Sequence, residues 1–153
     1  MALLTYSGQT FLHFKFNSRE FGNNTAVIDH LRTLRPIKGT TSTDLALRDT
    51  FALLKSHEPN DGTRANVPKM VIILTDGHSA RSPKEIADAM RAEGITIVAV
   101  SVTPRPYVDE AELLEIAGDQ SRVFIPRNIH EFETELMKHV GFGCEGLELG
   151  PDA

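Results

Sequence analysis

The chain holds one cysteine, Cys144, among 153 residues. An internal disulfide and a cysteine-rich zinc site are therefore excluded, while pairing with a thiol outside the chain stays open. No apolar stretch approaches the roughly 20 residues needed to span a bilayer, which excludes membrane insertion by a helix. Met1 to Ser7 lacks the basic start and long apolar centre of an export signal, so the chain as written carries none. Cationic side chains are outnumbered and scattered: 16 Lys and Arg stand against 21 Asp and Glu, for a net charge of -5. With a pI near 5.6, this excludes a general nucleic-acid binder, whose affinity rests on clustered Lys and Arg. Neither Gly-x-Gly-x-x-Gly nor a phosphate-loop motif occurs, which argues against a nucleotide-binding enzyme. There is no internal repeat.

What the chain does have is 41% hydrophobic residues, enough for the core of one compact domain and too little length for two. It is organised around Val71-Ile72-Ile73-Leu74-Thr75-Asp76-Gly77. Four consecutive branched apolar residues fit a strand buried on both faces of a parallel sheet. Asp76 then stands at the carboxyl end of that strand, where open α/β sheets bind ligands. Gly77 lets the chain turn there.

Ahead of this strand, Ala2 to Ser7 and Thr10 to Phe16 read as a half-buried hairpin around Gly8-Gln9. Asn24 or Thr25 can cap a helix carrying Val27, Ile28, Leu31 and Leu34, which Pro36 ends. A second helix starts near Asp44, with Leu47, Phe51 and Leu54 at helical spacing. His57 to Lys69 is a hydrophilic connection. After the strand, Ser82-Pro83-Lys84-Glu85 combines a capping serine, a proline at the first helical position and a glutamate, and Gly94 closes that helix. Ile95 to Val102 is a further buried strand, and Leu113, Leu114 and Ile116 lie on an acidic-faced helix. Val123 to Ile125 is a short strand, and Asn128 to Glu131 caps a last helix with Ile129, Phe132, Leu136 and Val140. Residues 141–153 form an acidic, glycine-containing tail or linker after a domain spanning about 2–140. Strands alternating with amphipathic helices predict an α/β, three-layer, Rossmann-like sandwich. Its central sheet is mostly parallel, with one antiparallel edge strand and helices on both faces.

This order, together with Leu3-Leu4-Thr5-Tyr6-Ser7, Gly39-Thr40-Thr41-Ser42-Thr43-Asp44-Leu45-Ala46-Leu47 and Leu74-Thr75-Asp76-Gly77, resembles the von Willebrand factor type A domain family, in its extracellular-matrix branch. The resemblance covers about residues 2 to 140. It implies a non-enzymatic adhesion module that grips an acidic residue of a protein ligand, such as collagen or another matrix protein, through Mg²⁺ at a metal-ion-dependent adhesion site. It maps the site's threonine onto Thr41 and its aspartate onto Asp76, oxygen donors that suit a hard cation. The family's Asp-x-Ser-x-Ser loop is absent, since the loop and the opening strand would precede Leu3. The resemblance therefore implies an N-terminally truncated domain with weak or lost metal binding. Because the family's opening strand lies mid-sheet, the hairpin and the remaining strands are expected to lack their shared neighbour, leaving two strand edges exposed unless they close on each other. An extracellular location follows from the resemblance; the alternative is a cytoplasmic, metal-independent scaffold domain within an intracellular assembly.

Each candidate has a plainer reading beside this one. Asp76 could simply form a turn with Gly77, and Thr41 could serve the start of the following helix. Ser42, Thr43 and Asp44 read as helix-start residues that satisfy free N–H groups. Asp76, His78 and Ser79 sit too close on one loop to form a nucleophile–base relay. His13, His30, His57, His130 and His139 are dispersed, without ligand spacing. Asp109-Glu110-Ala111-Glu112 reads as favourable charge at a helix N-terminus. Cys144 is either the remnant of a bridge, as matrix members of the family carry, or a free thiol.

Overall fold

The computed structural model describes residues 1–56 and 62–140. His57, Cys144 and the tail at 141–153 lie outside the described residues. Ten regular elements follow in the expected order: β1 (Leu3–Tyr6), β2 (Thr10–Phe14), α1 (Asn24–Thr33), α2 (Thr43–Lys55), β3 (Met70–Leu74), α3 (Lys84–Ala92), β4 (Thr96–Val100), α4 (Glu110–Ala117), β5 (Val123–Phe124) and α5 (Phe132–Val140).

The strands form two sheets. β1 and β2 pair antiparallel, with Thr5 opposite Phe11. β3, β4 and β5 form a parallel sheet in that order, with Ile72 beside Val98 and Ala99 beside Val123. Among the described residues no strand joins the sheets, so β1 and β3 each keep one open edge. The expectation of a hairpin and a parallel sheet without a shared neighbour is met.

Side-chain alternation divides the core between two faces. On one face Ile73, Ile97, Ala99 and Val123 pack with Leu47 of α2, Ile86 and Met90 of α3, and Leu113 and Ile116 of α4. On the other face Val98, Val100 and Phe124 form a smaller cluster with Phe132 of α5, whose ring meets Phe124 edge-on at 5.3 Å. β3 departs from the expected double burial: Ile73 is buried, but Ile72 is 41% and Leu74 66% exposed. Phe132 and Met70 pack against the cluster on the second face, while Ile72 and Leu74 further along β3 stay exposed.

Helix starts differ in detail from the sequence reading. The cap of α1 is Asn23, whose side chain accepts from Ala26 N at 2.9 Å. Pro83 occupies the cap position of α3, while Ser82 Oγ accepts from Lys84 N. Asn128 does not cap forward. Its amide folds back to accept from Ile125 N at 2.8 Å and to donate to Val123 O at 2.9 Å, binding the end of β5 to the segment before α5.

Candidate functional site

Four segments converge at the carboxyl end of the parallel sheet. Thr75 N donates to Val100 O at 3.0 Å, so β3 stays paired up to the residue before Asp76. Asp76 Oδ1 then accepts from His78 N at 3.2 Å, which tightens the turn. Gly77 has φ +86, and a methyl group there would collide with the carbonyl oxygen of Asp109. Only glycine meets both demands. Asp109 N donates to Asp76 O at 2.9 Å, fixing this turn to the start of α4. Further along the same loop, Ala80 N donates to Thr41 O at 2.8 Å, and Ser42 N donates to Ser7 O at 2.9 Å. The end of β1, the approach to α2, the loop after β3 and the start of α4 are thus bound into one edge. Thr41 and Asp76 stand on neighbouring loops of it.

Beneath the edge lies a polar chain. Ser79 Oγ is 2.5 Å from both Glu112 Oε1 and Thr43 Oγ1, and Tyr6 OH is 3.5 Å from Thr43 Oγ1. Thr43 is fully buried. Its hydroxyl therefore joins this chain instead of serving the helix start, and Ser42 makes no side-chain cap bond. Ser79 N also donates to Glu112 Oε2 at 3.3 Å. Partial burial pushes the Glu112 carboxyl above its ordinary range, an effect that the donations from Ser79 oppose.

An exchange of partners explains why Glu112 turns inward. Asp109 accepts from Ala111 N and Glu112 N as the cap of α4. In a capping box the glutamate three residues on would reach back to the cap N–H. Here Asp76 O takes that N–H, and Glu112 is free to hold Ser79. The Asp-x-x-Glu spacing was the signal for this residue, and reading it as surface charge missed the inward role. His78 directs Nε2 to Tyr107 O at 2.8 Å, away from Ser79. Ser79 Oγ is held by Glu112 and Thr43.

The histidines are less dispersed than expected. His13 Nδ1 and His30 Nε2 lie 3.2 Å apart, His13 Nε2 is 2.8 Å from Thr5 Oγ1, and His30 sits against Phe14 and Phe21. β2 and α1 bring together two residues 17 apart, which helical or strand periodicity cannot signal. No group of three or more His, Cys, Asp or Glu side chains among the described residues could hold a metal ion. Thr41 and Asp76 supply one hydroxyl and one carboxylate.

A parallel sheet flanked by helices, with loops gathered at its carboxyl edge, defines an α/β domain of Rossmann-like architecture. The family model for the von Willebrand factor type A domain matches residues 1–138, and the chain belongs to that family. Among curated relatives, mouse matrilin-1 is 33% identical over 108 residues, 69% of this chain and 21% of matrilin-1. The human collagen alpha-5(VI) chain is 32% identical over 132 residues, 85% of this chain and 5% of the collagen chain. This chain thus spans a small part of either relative.

Solved structures share the fold. Proximal thread matrix protein 1 from the mussel byssus superposes with a TM-score of 0.70 at 22% identity, covering 94% of this chain and 36% of that one. A structure of that protein with a zinc-occupied MIDAS motif gives 0.65 at 24% identity, over 94% and 34%. Manganese-loaded Plasmodium vivax TRAP protein gives 0.67 at 16%, over 81% and 51%.

Proposed function

We propose that this chain is a non-enzymatic, protein-binding module of the adhesion type, and that the carboxyl edge carrying Thr41 and Asp76 is its ligand surface. The observation that carries the reading is the pair of bonds from Asp109 N to Asp76 O and from Ala80 N to Thr41 O. They set one carboxylate and one hydroxyl on adjoining, fixed loops. Relatives named matrilin and collagen support a matrix protein, such as a collagen, as the partner class and an extracellular setting.

The family's mode joins such a surface to an acidic partner residue through a divalent cation, and metal-loaded fold neighbours keep that mode in view. Mg²⁺ takes six oxygen ligands in near-octahedral geometry. Thr41 and Asp76 would hold it, and one oxygen of Asp76 already accepts from His78 N. Two side chains leave most of the shell to water and ligand, so the donor set does not fit a self-sufficient Mg²⁺ site. Recognition by this chain accordingly rests on direct contacts of the edge.

Binding to immobilised collagen and matrilin, measured with Mg²⁺ and with a chelator, tests the reading. Saturable binding that survives chelation and weakens in Tyr107→Ala, an exposed aromatic whose carbonyl holds His78, is the expected result. Absence of saturable binding to any matrix protein offered, or binding abolished by the chelator, would overturn it. Calorimetry of Mg²⁺ into the protein alone should show little heat.

A further inference from the structure

Away from the carboxyl edge, the chain carries a motif that the proposed binding role leaves unused. Asn23-Asn24-Thr25 places an asparagine two residues ahead of a threonine, with Ala26 following. That spacing, with any residue but proline between, is the acceptor pattern for asparagine-linked glycans. The other asparagines lack it: two places after Asn17, Asn24, Asn60, Asn66 and Asn128 stand Arg19, Ala26, Gly62, Pro68 and His130.

Spacing alone says little about whether a sugar can be carried, and the fold supplies the rest. Asn23 is exposed and extended, with φ -134 and ψ 157, just ahead of α1. Its amide divides its two ends. Oδ1 accepts from Ala26 N at 2.9 Å and caps the helix, whereas Nδ2 makes no hydrogen bond among the described residues. Thr25 is exposed beside it. A glycan bonds to the nitrogen and leaves the oxygen an acceptor, so one side chain serves both the cap and the sugar. Asn128 shows the contrast, because its Oδ1 and Nδ2 are both committed, to Ile125 N and Val123 O.

The acceptor is also placed where a bulky, hydrated group does not obstruct the ligand surface. His30, about 10 Å further along α1, lies against Phe14, which pairs with Leu3 at the starting end of β1. The chain reaches the carboxyl edge only later, where Gly39 lies against Ser7. Asn23 therefore stands toward the end of the domain opposite Thr41 and Asp76.

We propose that Asn23 is a glycosylation site, modified as the chain enters the export route; the proposal rests on the extracellular setting proposed above. The donor is an oligosaccharide joined through a diphosphate to a lipid. Asn23 Nδ2 attacks the anomeric carbon of its first sugar, and the C–N bond forms as the sugar–phosphate C–O bond breaks. The lipid diphosphate leaves with the electron pair, and the amide nitrogen gives up one proton. No oxidant or reductant takes part.

The full chain, expressed behind a cleavable export signal in a eukaryotic host, tests the site. An amidase that removes asparagine-linked sugars, used in heavy-oxygen water, converts each occupied asparagine to a labelled aspartate that mass spectrometry locates. Label at Asn23 is expected, with a matching gain in mobility on electrophoresis. Thr25→Ser should keep the sugar, whereas Thr25→Ala and Asn23→Asp should lose it. Asn23→Asp retains a capping oxygen, so loss of the sugar there is not loss of the fold. Amide exchange at Ala26 should be equally slow with and without the glycan, and faster exchange in the glycosylated chain would overturn the shared role of the side chain. Because the sugar is added before folding, chain retained within the export compartments is read in the same way. A chain bare at Asn23, or a sugar that survives Thr25→Ala, would overturn the acceptor alone. Finding the natural protein in the cytosol would instead overturn the extracellular setting, and with it the use of the site.

Discussion

β3 and β4 lie side by side, and both are short runs of branched apolar residues: Met70-Val71-Ile72-Ile73-Leu74 and Thr96-Ile97-Val98-Ala99-Val100. Every residue of β4 after Thr96 is buried, whereas β3 buries only Ile73. The residues are nearly the same; the neighbours differ. β4 has a strand on each side and apolar clusters on both faces, while among the described residues β3 has one neighbouring strand, and only its first residue, Met70, packs on the second face. An apolar run shows what a strand could bury, and its neighbours decide what it does bury. Where burial falls short, Ile72 and Leu74 stay exposed.

The largest expected effect sets the closed side of the molecule against the open one. Ile97→Ala empties a fully buried position and should cost about 2–5 kcal/mol. Leu74→Ala should stay within about 0.5 kcal/mol. Urea unfolding of both variants measures the contrast, and a Leu74→Ala cost as large as that of Ile97→Ala would break it.

Next come two glycines of similar backbone conformation. Gly77 and Gly94 have φ of +86 and +80, but an added Cβ would strike Asp109 at the first and meet nothing within 4 Å at the second. Gly94→Ala should cost about 1–2 kcal/mol from backbone strain alone. Gly77→Ala adds the collision and should reach about 3 kcal/mol or more. Equal costs in urea unfolding would mean that the turn and the start of α4 are not locked together.

Asp109→Ala should cost about 1 kcal/mol through lost capping of α4. Amide exchange should rise at Ala111 and Glu112 while β4 stays unchanged, which localises the damage to the edge.

The smallest effect is a pH slope. Because burial raises the folded-state affinity of Glu112 for its proton, the folded chain binds more protons than the unfolded one just above the ordinary value of 4.5. Stability from this group therefore falls as pH rises through that window. Glu112→Gln should flatten the fall in melting temperature there. A variant with the same slope as the parent would assign the fall to other groups.

Much of this arrangement was legible in the sequence, because it rests on local patterns. The Val71–Leu74 run followed by Asp76-Gly77 marked β3 and the turn at its carboxyl end. Element order followed from apolar periodicity and cap residues, and the separation of hairpin from parallel sheet followed from the family resemblance. What escaped depends on contacts between distant segments. The meeting of His13 with His30, the inward turn of Glu112 toward Ser79, and the backward fold of the Asn128 amide are set by how elements dock. The exposure of Ile72 and Leu74 escaped for the same reason, since a strand's own residues do not state which of its faces is covered.

The measurement that bears most directly on the central claim is thermal unfolding of the chain with and without millimolar Mg²⁺, beside Asp76→Ala. A ligand that binds only the folded state raises the melting temperature. The account predicts a cooperative melt that Mg²⁺ leaves unmoved in both proteins. A Mg²⁺-dependent rise present in the parent and lost in Asp76→Ala would contradict it, and would show that Thr41 and Asp76 head a working metal site.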